Sequence, residues 1–163
     1  MKKYNFKKDG LTIIKKAIDP KIADFVYNYF LMKKQVTETF FNTKYISPFE
    51  KSWGVLGDLQ CPKSYSHYAD IAMELLLLQT LPTVEKHAKL KLSPTYSYAR
   101  VYTQGDELKR HTDRYSCEVS ATVNLGGSLW PIYIDPTGKK GQAGIKVDLG
   151  PGDMLIYKGD TLE

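Results

Sequence analysis

The spacing of apolar residues changes at Pro94. Before it, Ile22, Val26, Tyr29 and Phe30, and later Ile71, Leu75 and Leu78, recur every three or four residues and mark helical faces. After it, apolar residues alternate at period two, between turns at Gly105, Gly126-Gly127, Gly138, Gly141 and Gly150-Pro151-Gly152. Helices first and many short strands later argue for an α+β domain. The pattern predicts helices over 22–34 and 65–90, the first opened by Asp19-Pro20 and the second interrupted at Leu81-Pro82, as two helices or one kinked helix. It predicts strands over 11–18, 96–103, 108–113, 117–125, 129–134, 145–149 and 153–158. Residues 35–64 read as irregular, and Phe40, Phe41, Tyr45, Phe49 and Trp53 there suit either a lid or packing.

At 163 residues the chain fits one domain, with 1–93 a mainly helical support and 94–163 the strand core. The net charge of +5 comes from scattered pairs (Lys2-Lys3, Lys7-Lys8, Lys15-Lys16, Lys33-Lys34, Lys139-Lys140), which favours a solvated surface over nucleic-acid binding. No apolar run approaches the ~20 residues of a membrane span, and no apolar segment follows the first lysines, so neither a span nor a secretory signal is expected. Cys61 and Cys117 have no metal or disulfide spacing and read as structural thiols of an intracellular protein.

Within the strand region, Ser120, Thr122 and Asn124 share one face, while Val119, Ala121, Val123 and Leu125 share the other. Burying that polar row with no partners would cost several kcal/mol, so it suits a hydrated pocket or solvent. His111 and Asp113 fall on one side of an extended backbone, as two donors of a facial 2-His-1-carboxylate iron site would; taken alone, the tripeptide equally suits a surface turn with a charge-paired histidine. Tyr98, Arg100 and Tyr102 also share a face. An arginine placed there needs an anion: a ligand carboxylate, or a protein one such as Glu118. His67 and His87, at the ends of the second predicted helix, read as capping or solvent-facing.

The ordered series Tyr98, Arg100, Tyr102, Gly105, Leu108, His111, Asp113, the polar strand, Gly126-Gly127 and Pro151-Gly152-Asp153 resembles the iron(II)- and 2-oxoglutarate-dependent oxygenases, most closely their prolyl 4-hydroxylase-like branch. The resemblance covers about residues 94–163. It implies a double-stranded β-helix, or jelly roll, with N-terminal helices packed on one sheet. It implies a dioxygenase that oxidises 2-oxoglutarate to succinate and CO2 while hydroxylating a C–H bond, with ascorbate as an accessory reductant. His111 and Asp113 match metal ligands, Tyr102, Asn124 and Arg100 fall at co-substrate positions, and Tyr98 and Arg114 lie toward a small-molecule or peptide substrate such as proline.

The family's second histidine follows a Gly-Asp turn and strand like Gly152 to Tyr157, and a basic residue for the far carboxylate of 2-oxoglutarate comes later. Both are expected beyond Glu163, so the strand core is read as incomplete and its metal affinity as weak. Two other readings compete. One is a non-catalytic jelly-roll module that binds a small ligand. The other is a cupin-like isomerase or sugar-binding protein, disfavoured because only one histidine lies among the predicted strands.

Overall fold

The computed structural model describes residues 3–137 and 141–163; the turn expected at Gly138, and Lys2, Lys139 and Lys140 of the lysine pairs, lie outside the described residues. The chain folds as two compact units. The first comprises Met1–Phe25, Gln79–Thr95 and Arg110–Glu163, and the second Val26–Leu78 and Tyr96–Lys109. In order the elements are α1 (Phe6–Asp9), β1 (Leu11–Ile14), α2 (Pro20–Asn42), β2 (Val55–Leu56), β3 (Tyr65–Tyr68), α3 (Ile71–Ala88), β4 (Tyr98–Val101), β5 (Val119–Val123), β6 (Ile132–Ile134), β7 (Ile145–Val147) and β8 (Met154–Lys158).

The first unit is built on an antiparallel sheet in the order β1-β8-β5, with Leu11 opposite Tyr157 and Ser120 opposite the same tyrosine on its other side. The central strand β8 alternates between two cores. Met154 and Ile156 are fully buried with Phe6 and, from the end of α3, Val84 and Ala88. Leu155 joins Leu11, Ile134, Val147 and Leu149 on the opposite face, under the antiparallel β6–β7 pair. Each such side chain contributes roughly 1.5–3 kcal/mol by leaving water. Helical residues pack on one face of β8 and the β6–β7 pair on the other, and β1 corresponds to the first strand expected over 11–18. Strands are therefore not confined to residues after 93.

The second unit holds the antiparallel sheet β2-β3-β4 and the adjoining parts of α2 and α3. Tyr65, fully buried, stacks against Phe30 at 5.0 Å between ring centres, and its hydroxyl donates to Trp53 O at 2.6 Å. Thr37 donates to the same carbonyl at 2.8 Å. Phe40 meets Tyr45 and Trp53, so part of the 35–64 aromatic set packs, while Tyr45 and Phe49 remain largely exposed.

Four expectations need correction. The first helix runs on to Asn42, because no Gly or Pro follows Lys34 to stop it. Residues 65–68, expected to be helical, form β3, whose central place in its sheet buries its first three residues. The second helix begins after Asp70, whose Oδ1 accepts from Ala72 N and Met73 N, and it continues through Pro82. Residues 108–113 are not a strand. Of that stretch, Asp113 N is tied to Gly159 O at 2.8 Å.

Candidate functional site

Asp113 is the most firmly held side chain of the expected set. Its Oδ2 accepts from Ser120 Oγ at 2.5 Å and from Tyr157 OH at 2.9 Å. Its Oδ1 lies 3.7 Å from His111 Nε2. The expected common side for His111 and Asp113 thus occurs in irregular backbone instead of a strand. Ser120 and Tyr157 are cross-strand neighbours on β5 and β8, so sheet register itself delivers both hydroxyls to one carboxylate oxygen. Burial first, and then the negative charge of Asp113, push the Tyr157 phenol far above its ordinary range. It therefore remains a donor.

Gly159, just past β8, closes the arrangement. A Cβ at this position would meet Ser120 Oγ, Cys117 O and, at 2.7 Å, Asp113 Oδ2. Glycine is needed here for close approach. The polar face of β5 thus meets a protein partner at Ser120. Asn124 donates to Leu149 O at 2.6 Å and accepts from Gly126 N at 3.0 Å, which ties the end of β5 to two turns. Asp153, in the Gly-Asp turn, accepts from Lys15 Nζ at 2.6 Å and from the main-chain N–H groups of Lys16 and Gly150. It fixes that turn to the end of β1.

In the second unit, Tyr98, Arg100 and Tyr102 share a face, as alternation requires. The Arg100 guanidinium lies over both rings, 5.0 Å from the centre of Tyr98 and 5.7 Å from that of Tyr102. The anion it needs is Asp58, at 2.6 Å, not Glu118. Gln60 Oε1 at 3.0 Å and both tyrosine hydroxyls at 3.3 Å also accept from it. Burial alone would raise the Asp58 carboxyl. Hydrogen bonds from Tyr98 OH, Cys61 N and Arg100, together with the arginine's charge, bring it down to about 2. Burial alone would lower Arg100, but hydrogen bonds to the Tyr102 and Tyr98 hydroxyls and to Asp58 hold it above its ordinary range. Nε of Arg100 is buried with no hydrogen-bond partner among the described residues.

The remaining expected residues have simpler roles. Arg114 is exposed, and its carbonyl accepts from Cys117 N in the turn before β5. His87 is exposed in the last turn of α3, as expected. His67, expected at a helix end facing solvent, is instead buried in β3. Its Nδ1 lies 2.9 Å from Lys33 Nζ and 3.2 Å from Asp70 Oδ2. Lys33 pairs with the same Asp70 oxygen, and Tyr29 OH donates to it at 2.9 Å. Both cysteines are free thiols. Among the described residues no three His, Cys, Asp or Glu side chains gather as a metal cluster, and no helix is long and apolar enough to cross a membrane.

Sequence reading missed Asp58, Ser120 as a hydrogen-bond donor to the carboxylate, Tyr157 and Gly159. Only Tyr157 left a visible mark, since a hydroxyl interrupts the apolar parity of Leu155 on an otherwise buried strand.

No family model matches the chain, and no curated protein matches it. The fold is similar to that of a solved structure, the crystal structure of a Pseudomonas putida prolyl-4-hydroxylase. The TM-score is 0.64 with 13% identity, over 96% of this chain and 84% of that one. Antiparallel sheets with helices packed against them, in an arrangement shared with a prolyl hydroxylase, are what this chain and that enzyme have in common.

Proposed function

We propose that the chain is an iron(II)- and 2-oxoglutarate-dependent oxygenase of jelly-roll type, hydroxylating a C–H bond of a peptidyl or free amino acid such as proline. The observation that carries this reading is the double hydrogen bond on Asp113 Oδ2, which turns Oδ1 toward His111 Nε2. Metal-binding carboxylates are held by such outer hydrogen bonds. Two cis metal–ligand bonds of about 2.1 Å set their donors about 3 Å apart, so a shift of under about 1 Å brings the two donors, now 3.7 Å apart, to that spacing. The donor set therefore fits two of the three protein positions of a facial site. His111 and Asp113 would hold the ion, and iron(II), with 2-oxoglutarate as the two-electron co-reductant, would activate dioxygen as the oxidant for an unactivated C–H bond.

The chain's own residues have defined tasks in this scheme. Ser120 and Tyr157 fix the Asp113 carboxylate in one orientation, and Gly159 gives it room. Both hydroxyls donate to Oδ2, so Oδ1 is the oxygen left toward His111. We assign Tyr102 and Arg100 to the co-substrate and Tyr98 and Arg114 to the substrate side, on the strength of the resemblance. Asn124, which also holds two turns in place, is assigned to the co-substrate on the same ground.

The test is binding followed by turnover. Manganese(II), added to labelled protein, should broaden the ring resonances of His111 even where affinity is weak. With iron(II) and 2-oxoglutarate, the protein should release succinate. His111→Ala and Asp113→Ala should abolish both effects, while His87→Ala leaves them intact. Broadening centred on His67 or His87, or succinate formation that survives His111→Ala, would overturn the proposal. Ligand binding without any succinate would favour the non-catalytic module.

A further inference from the structure

We infer that the open edge of β1 is a docking groove for an extended, acidic peptide segment, a site separate from His111 and Asp113 and independent of the oxygenase reading. The groove encloses about 460 Å³ in the first unit and is lined by Lys3–Phe6, Thr12–Lys15 and the end of α3. That volume falls in the range of about 300–1,000 Å³ usual for ligand clefts.

Two independent features point to the occupant. The first is charge. Lys3, Lys15, Lys86, His87 and Lys89 line the groove, and no Asp or Glu does. Lys15 is neutralised by Asp153. Among the described residues, Lys3, Lys86 and Lys89 have no ion-pair partner. Lys86 and His87 also balance the negative end of α3, but that is only about half a charge, so the groove keeps a surplus of positive charge.

The second feature is an unpaired main chain. β1 is the edge strand of its sheet. The bond from Lys158 N to Gly10 O sets the phase of the β1–β8 ladder. Thr12 and Ile14 then bond to β8, and the N–H and C=O of Ile13 face the open side. Main-chain hydrogen bonds of this kind recruit an added strand from a peptide. Nucleobases gain nothing from that ladder. A second copy of this chain would bring its own lysines against these and be repelled, which is how charged edges resist self-pairing.

The experiment uses fluorescence anisotropy with four labelled probes: an alternating Glu–Val hexapeptide, its Lys–Val counterpart, the Glu–Val peptide N-methylated at its valines, and a dodecamer of thymidylate. The Glu–Val peptide should bind, more weakly as salt rises. The Lys–Val peptide should not bind, and N-methylation should weaken binding roughly tenfold or more, because it removes the ladder donors. Lys86→Glu/Lys89→Glu, at two exposed positions, should also cost roughly tenfold while lowering the melting temperature by only a few degrees, the effect of removing Lys86 from the end of α3. Failure of the acidic peptide to bind overturns the inference. So does equal binding of the N-methylated peptide, equal or tighter binding of the oligonucleotide, or sedimentation as a dimer that the double variant dissociates.

Discussion

Replacing Asp58 with Asn tests the arginine cage of the second unit most sharply. The Arg100 side chain is 7% exposed and its carboxylate partner 19%. Removing the charge leaves a buried guanidinium uncompensated, which typically costs about 3–5 kcal/mol, a large part of the ~5–15 kcal/mol that holds a domain together. Removing both charges should be far milder. Asp58→Asn/Arg100→Met should recover most of the loss, since the two tyrosine rings can pack on an apolar chain.

The pH dependence gives a second reading of the same pair. The folded carboxyl sits at about 2, against an ordinary 3.8. A depressed carboxyl stabilises the fold above its unfolded pKa, so this contribution is complete above about pH 4 and is lost as pH falls through about 2. The shift corresponds to about 2 kcal/mol. Urea unfolding of wild type and Asp58→Asn at several pH values should show the two stabilities converging by about that amount between about pH 4 and 2. Parallel curves over that window, or a loss under about 1 kcal/mol at neutral pH, would refute the reasoning.

Gly159→Ala should destabilise by about 1–3 kcal/mol through overpacking and should weaken manganese binding more than an alanine introduced at Gly105, where nothing lies within 4 Å. Tyr157→Phe keeps the packing and removes one donor to Asp113. It should lower metal affinity by about 10-fold or more while shifting the melting temperature little, and an unchanged affinity would exclude Tyr157 from the site. Asp70→Asn removes the charge that Lys33 and Tyr29 contact and should cost several kcal/mol in chemical unfolding, whereas Glu38→Gln, in a half-buried i,i+4 pair with Lys34, should cost under about 1 kcal/mol.

Periodicity was a good guide where a residue's neighbours in sequence decide its surroundings. The alternation from Val119 to Val123 correctly separated the face packed against Met154 and Ile156 from the face carrying Ser120 and Thr122. Tyr98, Arg100 and Tyr102 fell on one face for the same reason. It failed where a distant partner decides. Residues 65–68 read as helix because Ile71 to Leu78 continue the pattern, yet pairing on both sides makes them the centre of a sheet. Arg100 demanded an anion, but the sequence could not say that a loop carboxylate 42 positions away would supply it. The hydroxyls on Asp113 were equally hidden, because only strand register brings Ser120 and Tyr157 side by side.

The strand β8 serves both cores and the Asp113 site at once, so the local stability of that site is tied to the whole of the first unit. Met154 to Ile156 are completely buried, and Tyr157 is the very next residue. Freeing the tyrosine from Asp113 by strand motion would expose two cores, so no small fluctuation can do it. The amide protons of Leu155 to Tyr157 should exchange with solvent only through cooperative unfolding of the unit. The edge amide of Ile13, which faces the open side of the sheet, should exchange orders of magnitude faster. Mutations that loosen the helix side, such as Val84→Ala, would then reach the carboxylate only by lowering the free energy of that single opening event, and not by changing its geometry in the closed state.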